Sequence, residues 1–516
     1  MPSTPTFKDY IKSLPNDLTA SVVVFLVALP LCLGVALASN APLFSGIIAG
    51  VIGGIVVGLA SRSHLSVSGP AAGLTAIVAG SLAMLPSFEA FLLAVVIAGV
   101  MQVVLGFAKA GVIGDFVPGN VIKGMLAAIG LILLINQFPH LLGDDSQFET
   151  DEGAPRRGNI FSNFFYAFTN INSSAFIIGG LALLFNIVWE KFQKGKTGFI
   201  RFVPGPLLMV MLGVVMNQLF QTQNWLPALT GEHLVILPMA NNPTEFFSLF
   251  TSPDWSQLGN SAVLTVAVTL ALVASLETLL SIEAVDELDP YQRVTPTNRE
   301  LKAQGLGNIV SGLLGGLPVT SVIVRSSANV NSGAKTKMST IYHGTLLLLC
   351  VVFIPALLNQ IPKSALAAVL IFTGYKLAKP SVFIGFYKKG WNQFLPFVGT
   401  ILAILATDLL KGVLIGIGIA IIFIIRSNFK SAVVIRNDAD KYLVRLRKDV
   451  SFFNKSILKQ GLQKVPANSY IIIDVSSADF IDQDIIEIIE DFQKHAPLEN
   501  IKVEIKKNPS SISIWT

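Results

Sequence analysis

Long apolar runs, broken by short polar or Gly/Pro-rich stretches, occupy roughly the first 430 residues. They predict helical spans near 18–38, 41–60, 71–85, 88–108, 113–137, 173–190, 204–220, 260–283, 300–314, 321–333, 338–359, 364–376, 391–408 and 410–427. A helix needs about 20 apolar residues to cross a bilayer. The segments 71–85 and 321–333 are too short for that, and 300–314 and 364–376 are also short. Broken backbone precedes each of the first two. In one half it reads Ser66-Val67-Ser68-Gly69-Pro70-Ala71-Ala72-Gly73; in the other it reads Gly315-Gly316-Leu317-Pro318-Val319-Thr320-Ser321, closely followed by Arg325. A break near 221–259 divides the spans seven and seven, with an interrupted segment third in each half. An odd number per half makes the second half enter from the opposite side, which is an inverted repeat.

The pattern changes after about Lys430. Residues 432–516 hold 12 Lys/Arg and 12 Asp/Glu, a soluble and nearly neutral stretch. Val444 and Leu446 alternate with Arg445 and Arg447, and Ile501, Val503 and Ile505 alternate with Lys502, Glu504 and Lys506, which predicts strands. Tyr470 to Ile473 suits a buried strand, and Ile485, Ile486, Ile489 and Phe492 share one helical face. The expected architecture is therefore a polytopic α-helical membrane protein of about fourteen segments in a seven-plus-seven inverted repeat. A small C-terminal α/β domain follows. The expected boundaries are 1–429 for the membrane part, with repeats at about 17–220 and 260–428, and 432–516 for the tail.

Composition agrees. Hydrophobic residues make up 52% of the 516-residue chain and charged residues only 13%, with a mean hydropathy of +0.65. Soluble domains usually carry about 25% charged residues. No cleaved signal peptide is expected from the first residues. Cys32 and Cys350 both lie in apolar stretches, so neither a disulfide framework nor a cysteine-based metal site is expected. The balanced charge of the tail argues against nucleic-acid binding.

The net charge of +5 matters mainly through its placement, because Lys and Arg mark the loops that stay inside. The 191–201 loop carries Lys191, Lys194, Lys196 and Arg201, the 376–389 loop carries Lys376, Lys379, Lys388 and Lys389, and Lys335 and Lys337 follow the second half-length segment. The 221–259 connection has no Lys or Arg. Residues 139–172 hold Asp144, Asp145, Glu149, Asp151 and Glu152 against Arg156 and Arg157. Fourteen spans with both termini in the cytoplasm put the basic loops inside and the other two outside.

Half-helices that start at the membrane midplane present unbonded N–H groups and the positive end of the helix dipole, which suits an anion. Pro70 at a first helical position leaves the amides of Ala71, Ala72 and Gly73 free, with Ser68 as a cap. In the second half Thr320 or Ser321 is the expected cap, Val322 and Ile323 offer amides, and Arg325 lies one turn in. The alternative is that Gly and Pro serve only packing or a kink. Glu277 is the only ionisable residue between Asp254 and Glu283. An acid at that depth points to function, and Ser281, four residues on, shares its helix face. Glu277 either serves a coupling ion or pairs with Arg325 to hold helices together.

Elsewhere structural roles are expected. Thr297 and Glu300 form a capping-box pattern. His64, His140, His233, His343 and His495 lack metal-ligand spacing, and His64 and His343 are expected at membrane interfaces. No nucleophile–base or metal constellation marks an enzyme, and no cofactor is implied.

The stretch from Asn298-Arg299-Glu300-Leu301-Lys302-Ala303-Gln304-Gly305 through Leu306-Gly307-Asn308-Ile309-Val310-Ser311-Gly312 to Leu317-Pro318 resembles the sulfate permease (SulP) family, bacterial relatives of animal solute-carrier family 26. Val117-Pro118-Gly119-Asn120-Val121-Ile122-Lys123-Gly124 and Gln137-Phe138-Pro139 are also similar, and the resemblance covers nearly the whole chain. The tail resembles a sulfate-transporter and anti-sigma-factor-antagonist (STAS) domain. There Asp474, Ser476 and Ser477 sit where relatives have a strand-to-helix phosphorylation loop, although turn formation and helix capping explain them more simply.

The resemblance implies core and gate domains, an elevator-type shift and an inorganic anion bound between the third and tenth helices. That places Ser68, Gly69, Pro70, Ala71, Ala72, Ser321, Val322, Ile323, Val324 and Arg325 at the anion site. It also implies a homodimer in the lipid of a bacterial cytoplasmic membrane. Ala28-Leu29-Pro30-Leu31 and the Glu277–Ser281 pair are similar to the bicarbonate subgroup, where an acid and a hydroxyl bind sodium. Here the acid is Glu rather than Asp, and Ala71 replaces a frequent hydroxyl, so a proton remains the alternative to sodium. Sulfate is the second substrate expectation. A membrane-anchored signalling scaffold acting through the tail is the distant one, which Glu277 and Arg325 speak against.

Overall fold

Inside a bilayer every backbone polar group must be bonded within the protein, so the apolar runs fold as helices. The computed structural model describes residues 7–112, 117–144, 164–165, 167–169, 171–193, 203–223, 225–240, 242–407, 409–438 and 441–507. Asp145, Glu149, Asp151, Glu152, Arg156, Arg157, Lys194, Lys196 and Arg201, used above for orientation, lie outside the described residues.

Among the described residues each expected span corresponds to a helix. In the first half these are α1 (Phe7–Ala38), α2 (Leu43–Ile52, prolonged by a π turn at Gly53–Val57 to Ala60), α3 (Thr75–Met84), α4 (Phe88–Phe107), α5 (Gly119–Leu142), α6 (Ser173–Gln193) and α7 (Gly205–Gln223). In the second half they are α8 (Ser261–Leu288), α9 (Thr297–Leu313), α10 (Ile323–Asn331), α11 (Met338–Phe353), α12 (Lys363–Leu377), α13 (Trp391–Ala406) and α14 (Leu409–Ala432). Eight helical stretches among the described residues are long and apolar enough to cross a membrane. Several boundaries move: α1 starts at Phe7, eleven residues earlier than expected, and α8 and α14 each run five residues further, to Leu288 and Ala432. Helix α5 starts six residues later than expected, after Pro118, and α11 ends at Phe353 before a separate turn at Pro355–Leu358.

Small residues let the helices approach closely. Between α4 and α9, a Cβ on Gly99 would lie 2.6 Å from the Gly305 carbonyl oxygen, and the reverse distance is also 2.6 Å. Between α2 and α11, a Cβ on Gly54 would lie 2.5 Å from the Gly344 Cα. Helices α2 and α11 are the counterparts of α9 and α4 when the halves are exchanged, so both contacts express one inverted repeat. The repeat also brings the two interrupted segments together. Strand β1 (Ser68–Pro70) pairs antiparallel with β2 (Val319–Ser321), with Ser68 opposite Ser321, Gly69 opposite Thr320 and Pro70 opposite Val319.

Contacts divide the chain into two units, Met1–Gly390 with Pro396–Gly416, and Trp391–Leu395 with Ile417–Thr516. The second carries a four-stranded sheet in the order β3 (Val433–Asp438), β4 (Lys441–Val450), β5 (Tyr470–Ile481), β6 (Lys502–Lys506). Strands β3 and β4 are antiparallel, whereas β4, β5 and β6 run parallel. Val444, Leu446, Ile471, Ile473, Ile485 and Ile489 are fully buried in its core, as their alternation requires. Asp474, Ser476 and Ser477 lie inside β5 rather than in a loop before a helix. The helix α15 (Gln483–His495) is capped by Asp482. Asp474 instead receives Arg445 Nε at 2.9 Å and both the N–H and hydroxyl of Ser476.

Candidate functional site

Antiparallel pairing of β1 with β2 points the two following half-helices into one space. The backbone leaves β1 at Pro70, passes Ala71 in extended conformation, and starts helix as a 3-10 turn at Ala72–Leu74. Pro70 is therefore a strand residue and not the first helical residue, which corrects the expected placement. Ser68 does not cap the helix; its hydroxyl oxygen accepts the Gln304 Nε2 hydrogen bond at 2.6 Å. In the second half Val322 is the N-cap, and neither Thr320 nor Ser321 caps. The Ser321 hydroxyl is bonded to that of Ser66 at 2.6 Å, and the Val322 amide donates to the Val67 carbonyl at 3.0 Å. The Val322 amide is thus engaged, against expectation. The N–H groups of Ile323, Val324 and Arg325 belong to the first turn of α10 and have no acceptor within the helix.

A cavity of about 120 Å³ opens at these two ends. Pro70, Ala72, Gly73, Val322, Ile323, Val324, Arg325, Glu277 and Ser281 all line it, so the structure brings most of the expected anion residues together with both expected coupling residues. Ser68, Gly69, Ala71 and Ser321 lie behind its wall. The far side comes from α5 and α12, where Lys123 and Thr373 supply the polar groups. Lys123 was visible as a cation inside an apolar span, which is itself a functional signal.

Arg325 is 2% exposed, and its Nη2 donates to the Pro70 carbonyl at 3.1 Å. Nη1 has no hydrogen-bond partner. A Cβ at Gly69 would collide with Nη1, so glycine there is what lets the guanidinium reach across β1. Glu277 accepts a hydrogen bond from the Gly73 amide at the start of the first half-helix, while its Oε2 has no partner. A Cβ at Gly73 would lie 2.5 Å from Glu277 Oε1. Among the described residues Arg325 and Glu277 form no ion pair, so they do not simply neutralise each other. Arg325, with an unused N–H, and Glu277, with an unused oxygen, both line one small cavity, and each is held there by backbone of the first half. Such a space can take an anion and a small cation or proton together.

Helix α9 fixes the strand crossing. Glu300, Gln304, Asn308 and Ser311 follow one another at steps of four, four and three along one face, and all are at most 2% exposed. Asn308 accepts from the Val319 amide at 2.6 Å and donates to its carbonyl at 3.0 Å, as a neighbouring strand would. Ser311 donates to the Leu317 carbonyl at 2.7 Å. Helix α9 is capped by Pro296 without a side-chain bond, so the expected Thr297–Glu300 capping box does not form. Glu300 is turned inward instead, where the Ser61 hydroxyl and Gln304 Nε2 donate to it. His343, expected at an interface, is fully buried in α11 because Gly344 draws that helix against α2.

Comparison with known proteins follows the same lines. A family model described as the sulfate permease family matches residues 14–398. YvdB of Bacillus subtilis (strain 168), a protein named for sulfate transport, is 26% identical over 454 residues, covering 86% of this chain and 80% of its own. The bicarbonate transporter BicA of Picosynechococcus sp. is 25% identical over 443 residues, covering 83% and 73%. Among solved structures, SLC26A9 superposes with a TM-score of 0.75 at 16% identity, over 96% of this chain and 84% of its own. The transmembrane domain of a cyanobacterial BicA gives 0.63 at 23% identity, over 79% and 98%.

Proposed function

The chain belongs to the sulfate permease family, and from that premise we propose a secondary active transporter that takes up bicarbonate. Transport of inorganic anions by an integral membrane protein is the property of the family; substrate, coupling and mechanism are our own inference. The anion sits between the half-helix N-termini, against the amides of Ala72, Val324 and Arg325 and the free Nη1 of Arg325, while the Gly73 amide, expected to be free, is held by Glu277. Ser68, Gly69, Ala71 and Ser321 shape that pocket from behind. The observation that carries this is a 2% exposed guanidinium with an unbonded N–H beside a cavity that two converging helix ends share. An anion stripped of water needs such preorganised donors.

Glu277 and Ser281 carry the coupling ion, which is sodium or a proton. Both line the cavity. Sodium would use the free Glu277 oxygen and the Ser281 hydroxyl; a proton needs Glu277 alone. The membrane helices divide into a core that shifts against a gate, in an elevator cycle. Residues 1–429 form the transport domain and 432–516 the STAS-like domain. The protein is a homodimer of a bacterial cytoplasmic membrane with both termini inside. The name of YvdB favours sulfate as the second reading. Purified protein in liposomes, given labelled bicarbonate and sulfate with and without sodium or pH gradients, tests all of this. Gradient-driven bicarbonate uptake supports the first reading and sulfate uptake the second. Uptake of neither under any gradient refutes both and leaves the scaffold role.

A further inference from the structure

Glu300 is a second buried acid within the membrane-spanning helices, and the function proposed above makes no use of it. It is 1% exposed. The Ser61 hydroxyl donates to its Oε2, and Gln304 Nε2 donates to its Oε1 at 3.0 Å. The same Nε2 donates to Ser68 Oγ at 2.6 Å. A continuous chain of side chains thus runs from Ser61, at the end of α2, to β1, whose last residue lines the anion cavity. Asp286 from the end of α8 and Lys337 from the turn before α11 are the charged groups that face Glu300. Lys337 Nζ is held by the carbonyls of Leu59 and Ser61, Arg299 donates to the carbonyl of Ala60, and Arg62 lies in electrostatic range of Lys337. Among the described residues none of these forms an ion pair with Glu300.

Gln304 is 0% exposed, and its Oε1 has no partner. Its Nε2 donates in both directions because Glu300, as a carboxylate, can only accept. Once Glu300 holds a proton, a half-turn of the amide lets the acid O–H and the Ser68 O–H both donate to Oε1. The chain therefore has one hydrogen-bond order for each protonation state, and Glu300 selects between them.

We propose that Glu300 is a second proton-binding site, wired through Gln304 and Ser68 to the anion cavity, and that its proton tightens anion binding. The proton enters from water at the Ser61 end and stays on the carboxylate. Removing the negative charge at the far end of this hydrogen-bonded chain lowers repulsion of the incoming anion. By reciprocity, a bound anion favours the protonated state by the same factor.

This linkage rests on the anion-transport reading, so two independent readouts are needed on the full-length protein. The first is a pH-difference infrared spectrum without anion. A carboxylic-acid band that survives E277Q and vanishes in E300Q is expected. The second is binding of labelled sulfate and bicarbonate across pH. Wild-type affinity is expected to strengthen about tenfold as Glu300 takes its proton. E300Q, which mimics the neutral acid and keeps both neighbours bonded, is expected to lose that dependence. Q304M is expected to keep the infrared band and lose the dependence. An E300Q spectrum identical to wild type overturns the proton site, and unchanged pH dependence in Q304M overturns the wiring. Should E300Q not fold, the wild type against Q304M still decides, since an anion-induced rise of the band must be present in the first and absent in the second. Binding of neither anion at any pH would refute the proposed function, while the band still reports on Glu300.

Discussion

Replacing Arg325 with Ala removes the one cation that reaches the cavity from the second half-helix. An anion about 4 Å from a guanidinium gains about 4 kcal/mol at an effective dielectric of about 20. Arg325 is 2% exposed and fixed by its 3.1 Å bond to Pro70, so bulk water does not screen it. A change of 1.4 kcal/mol is a factor of ten in an equilibrium. Water entering the vacated space returns part of the loss, which leaves an expected drop in anion affinity of about 10- to 100-fold. Arg325→Lys keeps the charge and is expected to retain most of the affinity. Concentration-dependent uptake of labelled bicarbonate and sulfate into liposomes measures this, with size-exclusion profiles confirming that both variants fold. An Arg325→Ala variant with wild-type apparent affinity would refute the electrostatic reasoning, since the cavity would then not be where the anion binds.

Glu277→Gln is expected to fold normally and to abolish gradient-coupled uptake; wild-type uptake by this variant removes Glu277 from coupling. Asn308→Leu leaves the Val319 N–H and carbonyl unbonded in the interior, at about 1–3 kcal/mol for each group, and is expected to lower the thermal midpoint of the membrane unit in detergent; an unchanged midpoint would show that α9 does not hold the crossing. In the second unit burial pushes the Asp474 carboxyl up, but its bonds from Ser476 and Arg445 outweigh this and hold it below the usual carboxylate range. A depressed native value stabilises above the unfolded value and loses that stability as pH falls through the native one, so the protection of the β5 amides, taken relative to their intrinsic exchange rate at each pH, should fall on acidification in the full-length protein, and Asp474→Asn should flatten the response.

Much of the fold was legible because the membrane leaves the backbone few options. Apolar runs had to be helices, and Gly/Pro breaks too close to the next polar stretch had to yield half-helices. The converging residues Pro70, Arg325, Glu277 and Ser281 could be named for the same reason, since charge and broken helix are expensive at that depth. Local capping rules failed at Ser68, Ser321 and Thr297. They count only neighbours in sequence, whereas Gln304 and Ser66 claim the first two hydroxyls from far along the chain. Glu300 was misassigned through the same shortcut. The spacing of Glu300, Gln304, Asn308 and Ser311 did carry the signal, because four polar residues on one face of a membrane helix must bond something buried. Gln304 and Asn308 bond two three-residue strands from opposite halves, which are too short to leave any alternation in sequence.

The central claim is that a negative solute sits between the starts of α3 and α10. A structure determined with selenate or another heavy oxyanion locates that solute directly. The account predicts density within hydrogen-bond reach of Arg325 Nη1 and the first-turn amides of both half-helices. Density elsewhere, with this cavity holding only water, would contradict it.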